Sequence, residues 1–155
     1  MKDNNSSPLR KYVRTKVNKN TEELEQAGLN WLKIASENRI SYEIDWLGIP
    51  IIQTPEDMVL IQELIFRIKP DYIIETGIGH GGSLIFYASI MELLDKGEVF
   101  GVEIDIREHN RKVLESHSLF NRITLFESSS ISKDVVEKVR KKIHKDSKVI
   151  VCLDS

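Results

Sequence analysis

Gly77, Gly79, Gly81 and Gly82 crowd into a short stretch directly after the apolar run Tyr72-Ile73-Ile74 and the acid Glu75. An apolar pattern of helical spacing follows from Ser83 to Leu94. That order predicts a strand, a tight turn and a helix. Glycine permits positive φ and lets a ligand come close to the backbone. The start of the helix behind it offers unpaired N–H groups and a positive partial charge. The segment is suited to receive a polar or anionic group.

Two patterns overlap on these residues. Gly77, Gly79 and Gly82 satisfy G-x-G-x-x-G, the dinucleotide fingerprint. Glu75, Gly77, Gly79 and Gly81 satisfy E-x-G-x-G-x-G, which resembles motif I of S-adenosylmethionine (SAM)-dependent methyltransferases. Glu75 separates the two. A carboxylate just before the first glycine repels a pyrophosphate but suits the ammonium of a methionine moiety. The cofactor-binding candidates here are Glu75, Gly77, Gly79, Gly81 and Ser83. The bland alternative is a βα turn whose glycines serve packing alone.

The next apolar run, Val99 to Ile104, ends among the acids Glu103 and Asp105. An acid at the tip of the second strand can accept hydrogen bonds from both ribose hydroxyls of an adenosine. Glu103 is the first candidate and Asp105 the second; an acid capping the following helix is the alternative. After the third run come Ser128, Ser129 and Ser130. Ser129 and Ser130 are candidates for the adenine edge, and the same hydroxyls could cap a helix starting at Ile131. Asp154, at the end of the fourth run, is a candidate ligand for a divalent cation, although one carboxylate does not make a metal site. His80, His109, His117 and His144 show no zinc-like spacing, and only His80 lies where it could line a pocket. Cys152 sits in the apolar run Val149–Leu153 and reads as a core thiol.

The elements that must position these residues alternate. Strands are expected at Tyr72–Glu75, Val99–Ile104, Ile123–Phe126 and Lys148–Leu153, with helices at Gly82–Leu94, Arg107–Ser116 and Ile131–Ile143. Such alternation requires a parallel sheet with right-handed crossovers, a doubly wound α/β fold. Upstream, Thr54-Pro55-Glu56-Asp57 starts a helix and Lys69-Pro70 stops it, with Met58, Ile61, Leu64, Ile65 and Ile68 on one face. Tyr42 to Ile52 is apolar and irregular, a lid or a short extension packed on the core. Thr21 opens another helix that ends near Asn38. Residues 1–40 are read as an N-terminal arm and helix, and 41–155 as the cofactor-binding domain.

Composition narrows the function classes. The chain has 155 residues, 41% apolar and 30% charged, with a net charge of −2. No global basic field points to nucleic acid. No apolar run approaches the length of a membrane span. Met1 to Pro8 lacks a signal-peptide core, and a single cysteine cannot form an internal disulfide, so a cytoplasmic location is expected. The basic residues Lys11, Arg14, Lys16 and Lys19 read as a solvated arm, and those from Lys138 to Lys148 as a solvated face.

Several segments agree in order with one family: Trp46–Gln53, Gln62–Ile65, Lys69–Asp71, Ile73–Gly77, His80–Ser83, Asp105–Arg107 with His109–Arg111, and Cys152–Ser155. Over roughly residues 40 to 155 the chain resembles the cephalosporin hydroxylase/rhamnosyl O-methyltransferase family. The resemblance implies a Rossmann-like SAM-methyltransferase fold, with SAM and Mg²⁺ as cofactors and a sugar or natural-product hydroxyl as acceptor. It places Glu103 at the ribose position, where the family more often has Asp, and Asp154 at the first metal-binding aspartate. It also implies further chain beyond the fourth strand, including the rest of the metal site. Two other readings stand beside it: an NAD-binding oxidoreductase, and a non-catalytic remnant. The fourth strand is expected at a bare apolar edge, predicting self-association through residues 148–153.

Overall fold

The computed structural model describes residues 21–154, and the chain clusters into two units divided between Ile40 and Ser41. The basic arm expected over the first twenty residues lies outside the described residues. In the first unit, helix α1 (Thr21–Glu37) begins with the acids Glu22 and Glu23, which favour its positive end. Asn38 closes it, its side-chain amide donating to the Ile34 carbonyl at 2.8 Å. Among the described residues, no helix is long and apolar enough to cross a membrane.

The second unit starts with a hairpin that the sequence reading left irregular. Strands β1 (Asp45–Trp46) and β2 (Ile49–Pro50) pair antiparallel around Leu47 and Gly48. Both turn residues have positive φ, 50° and 85°, the twist that matches paired strands. The segment is an extension packed on the core. Ile49 and Ile51 are buried, the Trp46 ring meets Phe86 edge-on at 4.9 Å, and Trp46 Nε1 donates to Ser89 Oγ at 3.1 Å.

Helix α2 (Pro55–Ile68) begins and ends where its signals stand. Thr54 Oγ1 accepts from the Asp57 amide, and Lys69 takes a left-handed conformation with its N–H on the Ile65 carbonyl. Met58 and Ile65 are buried, whereas Leu64 is turned outward, so the apolar face is narrower than its spacing suggested.

From Asp71 the chain alternates as expected: β3 (Tyr72–Thr76), α3 (Gly82–Leu93), β4 (Glu98–Glu103), α4 (Glu108–Ser116), β5 (Ile123–Glu127), α5 (Lys133–Lys142) and β6 (Val149–Leu153). The strands form one four-stranded sheet, all parallel, in the order β5-β4-β3-β6. The chain steps outward from β3 to β4 to β5, then returns to the far side of β3. With right-handed crossovers, that reversal places α3 and α4 on one face and α5 on the other, so the sheet is doubly wound. Helix α5 starts at Lys133 after Ser132, two residues later than expected.

Helix α3 is the centre of the core and is apolar nearly all round, as a helix enclosed on several sides must be. Two glycines make that enclosure fit. A Cβ on Gly101 would lie 2.6 Å from Leu84 Cδ1, and one on Gly82 would lie 2.2 Å from the Pro50 carbonyl oxygen. Gly82→Ala is therefore expected to lower stability by about 2 kcal/mol or more, because the obstacle is backbone. Gly28→Ala, mid-helix in α1 with nothing within 4 Å, should raise it by about 1 kcal/mol. Chemical denaturation of the two variants checks both signs.

Candidate functional site

Chain reversal at β3 opens a crevice at the carboxyl ends of β3 and β6, where open α/β sheets bind ligands. A cleft of about 430 Å³ lies there. Its floor is the turn Gly77–His80, one wall is Pro50–Gln53, and Ser83, Glu103 and Asp154 complete it.

The turn depends on its glycines. Gly77, Gly79 and Gly81 have φ of 81°, 51° and 88°, in the left-handed region that other residues rarely enter. Gly81 also packs against Leu114, whose Cδ1 would be 2.6 Å from an added Cβ. Gly79 has nothing within 4 Å of that position. The structure thus leaves open space beside Gly79 while filling the space beside Gly81.

Glu103 faces this turn from the tip of β4. Its Oε2 accepts from the Ile78 amide at 3.0 Å and its Oε1 from the Ile104 amide at 2.8 Å. Each oxygen keeps a lone pair, so the fixed carboxylate can still accept two hydroxyls side by side. Asp105 lies beyond the end of β4, in a side recess with Gly79, His80, Glu103, Arg107 and Asn110. Asn110 Nδ2 donates to the Gly79 carbonyl at 3.1 Å and ties that recess to the turn. Of the two acids, only Glu103 borders the larger cleft.

Glu75 sits beneath the site. It is 1% exposed and accepts from Ser83 Oγ at 2.5 Å and Tyr87 OH at 3.1 Å, joining the end of β3 to the first turns of α3. Burial pushes its carboxyl up to about 7 despite those two donors, and the nearby charge of Asp154 adds to the rise. Burial likewise raises the Tyr87 phenol. Glu75 faces a second recess with Gln53, Asp57, Tyr87, Cys152 and Asp154, while Ser83 borders the first cleft.

Ser129 and Ser130 lie in the turn after β5, where the Ser129 carbonyl accepts from the Ser132 amide at 2.9 Å. Neither borders the cleft, and neither is the N-cap of α5, a position held by Ser132. The capping reading relied on a helix start at Ile131, whereas the helix starts at Lys133. Sequence reasoning missed Gln53, which lines both recesses. Its Oε1 is buried and has no hydrogen-bond partner among the described residues, an acceptor that a bound donor could satisfy. It closes the family-like segment Trp46–Gln53 without a role assigned to it, and its position follows from the hairpin that precedes it.

The acceptors present fit a cofactor carrying a vicinal diol and a positive charge. Glu103 supplies a fixed carboxylate, Gly79 leaves room beside the backbone, and Gln53 offers an unmet acceptor. They do not fit a complete metal site. Asp154 extends the ladder, its N–H donating to the Thr76 carbonyl at 2.9 Å. No group of at least 3 His, Cys, Asp or Glu that could hold a metal exists among the described residues.

A doubly wound sheet with a glycine turn and a strand-tip carboxylate defines a Rossmann-like, nucleotide-type binding domain. The family model for rhamnosyl O-methyltransferase/CmcI matches residues 38–155. The chain belongs to that family. It is 31% identical over 112 residues to a rhamnosyl O-methyltransferase of Mycobacterium leprae, an overlap of 71% of this chain and 47% of that protein. A rhamnosyl O-methyltransferase of Mycobacterium tuberculosis is 29% identical over 120 residues, covering 76% of this chain and 47% of its own length. The chain therefore spans about half the length of these relatives. Among solved structures, CmcI described with Mg and SAM superposes with a TM-score of 0.57 at 16% identity, covering 100% of this chain and 57% of that one. CmcI described with SAH gives 0.54 at 15% identity, covering 97% and 64%. These likenesses establish the fold.

Glu75 makes stability depend on pH. Its folded value of about 7 exceeds the ordinary 4.5, so the folded state holds the proton more tightly. The resulting stabilisation is complete below pH 4.5 and is lost as pH rises through 7. The loss is on the order of 3 kcal/mol. Thermal melts from pH 4.5 to 8 should show this decline in the wild type and a flatter profile in Glu75→Gln.

Proposed function

We propose that this chain is the SAM-binding portion of an O-methyltransferase that modifies a hydroxyl of a sugar or related natural product. The observation that carries the cofactor choice is the charge of the cleft. It is bordered by the carboxylates Glu103 and Asp154 and by no Lys or Arg. A sulfonium with an ammonium group gains from that lining, whereas the pyrophosphate of NAD meets two carboxylates and no lysine or arginine to offset them. The rhamnosyl O-methyltransferase relatives support methyl transfer to a sugar hydroxyl.

In this reading Glu103 receives the ribose hydroxyls, held in place by the Ile78 and Ile104 amides. The glycine turn lets the methionine end pass close to the backbone at Gly79. Ser83 carries the contact from the cleft wall to Glu75 beneath it. Gln53 accepts a donor where the two recesses meet. SAM supplies a methyl group on a positively charged sulfur, and the protein contributes position and a dry, acidic surround. Asp154 would take part in holding Mg²⁺, the family's second cofactor, together with further oxygen ligands from elsewhere.

S-adenosylhomocysteine should raise the melting temperature of the chain and NAD should leave it unchanged, because a ligand stabilises only the state it binds. Glu103→Ala should remove most of the shift. A larger shift with NAD would sink the assignment.

Mg²⁺ titrated alone into the chain by calorimetry should show no binding tighter than about millimolar, since a hard cation wants six or more oxygens. Tight binding would show that the described residues already suffice.

A further inference from the structure

The glycine turn is held peptide by peptide, and each hold comes from a different place. The Ile78 amide donates to Glu103 Oε2 at 3.0 Å. The Ile78 carbonyl accepts from the Gly81 amide at 2.7 Å, inside the turn itself. The Gly79 carbonyl accepts from Asn110 Nδ2 at 3.1 Å, a bond that reaches across from α4. Three successive peptides are thus fixed, the last of them by a side chain of another element. Gly79 and His80 are exposed, and nothing lies within 4 Å of where a Cβ on Gly79 would stand. Glycine also has access to both signs of φ. Steric contact around this tip is sparse, so its geometry depends on the Asn110 bond.

Helix α4 reaches the turn twice. Asn110 and Leu114 are one helical turn apart and share a face. Leu114 is fully buried beside Gly81, where an added Cβ would lie 2.6 Å from its Cδ1, and Asn110 takes the tip at Gly79. The next residue, Arg111, anchors the helix elsewhere. Its Nη2 donates to Glu127 Oε2 at 2.6 Å, and Glu127 Oε1 accepts from the Ile106 amide at 3.3 Å. The start of α4 is therefore tied to the end of β5 and to the loop that follows Glu103, and Asn110 stands on a fixed support. All of these groups belong to residues 78–127, and none to β6.

We propose that Asn110 is a positioning residue for the cofactor's diol: by holding the Gly79 carbonyl it keeps the Ile78 amide on Glu103, and so keeps that carboxylate oriented before a ligand arrives. The inference rests on the reading of Glu103 as the acceptor of the ribose hydroxyls. Asn110 acts through the turn, for it borders the side recess and not the larger cleft. A turn ordered in advance spares the ligand the cost of ordering it on binding.

Two measurements test this role, one of them without any ligand. In the free chain, hydrogen exchange followed by NMR should show the Ile78 amide exchanging about tenfold faster in Asn110→Leu than in the wild type, with the Gly101 and Val102 amides of β4 unchanged. Calorimetry then compares S-adenosylhomocysteine with its 2′,3′-dideoxy analogue. The wild type should favour the diol, Glu103→Ala should lose that preference, and Asn110→Leu should reduce it about fivefold. Asn110→Gln, which keeps an amide donor, should recover part of it. Unchanged exchange at Ile78, or equal weakening of both ligands in Asn110→Leu, would overturn the proposal. If the wild type binds neither ligand, the cofactor reading falls, and the exchange measurement alone decides whether Asn110 holds the turn.

Discussion

Backbone contact between Pro50 and Gly82 governs the upper half of this domain. The Pro50 carbonyl lies where any side chain at Gly82 would have to stand. It can approach only because the hairpin turns tightly at Leu47 and Gly48 and delivers β2 across the first turn of α3. One cleft wall, Pro50–Gln53, is thereby set against the floor, Gly77–His80. Beneath the contact, Glu75 ties β3 to the same helix through Ser83 and Tyr87. Wall, floor and support meet at the beginning of one helix.

Much of this was legible in the sequence because the signals were local. Thr54-Pro55 and Lys69-Pro70 bracket α2, and the glycine turn lies between β3 and α3. Alternation and handedness called for a parallel sheet, the family resemblance implied the strand order, and β6 lies beside β3. What escaped depended on tertiary context. Leucine is not a usual signal for a left-handed turn, and Pro50 reads as a breaker, so the hairpin was not visible. A run of three serines does not tell which hydroxyl begins a helix, and Ser132 took that place. Gln53 ends the family-like segment Trp46–Gln53 but becomes notable only when its oxygen is found buried and unpaired among the described residues.

Carboxylates near the cleft differ because their surroundings differ. Glu103 is half-buried at the rim of the cleft and is held by the Ile78 and Ile104 backbone amides. Glu75 is shut away and keeps its proton to near-neutral pH. The first can meet a ligand directly. The second holds the ligand's surroundings together, and its polarity is matched by hydroxyls instead of cations.

At the opposite end of the sheet the ties are of another kind. Arg122 pairs with Glu92 and donates to the Gly97 carbonyl, fastening the loop between α3 and β4. Lys96 pairs with Asp71, whose carboxyl is held below its ordinary value, first by the Lys148 amide and then by Lys96. The carboxylates of both ion pairs reach solvent, and such pairs are individually weak and weakened by salt. The cleft end relies on steric fit and buried hydroxyls, which salt hardly touches. The domain thus has a foot that ionic conditions can loosen and a head that they cannot, and sequence change at the foot is free to adjust durability without disturbing what the head recognises.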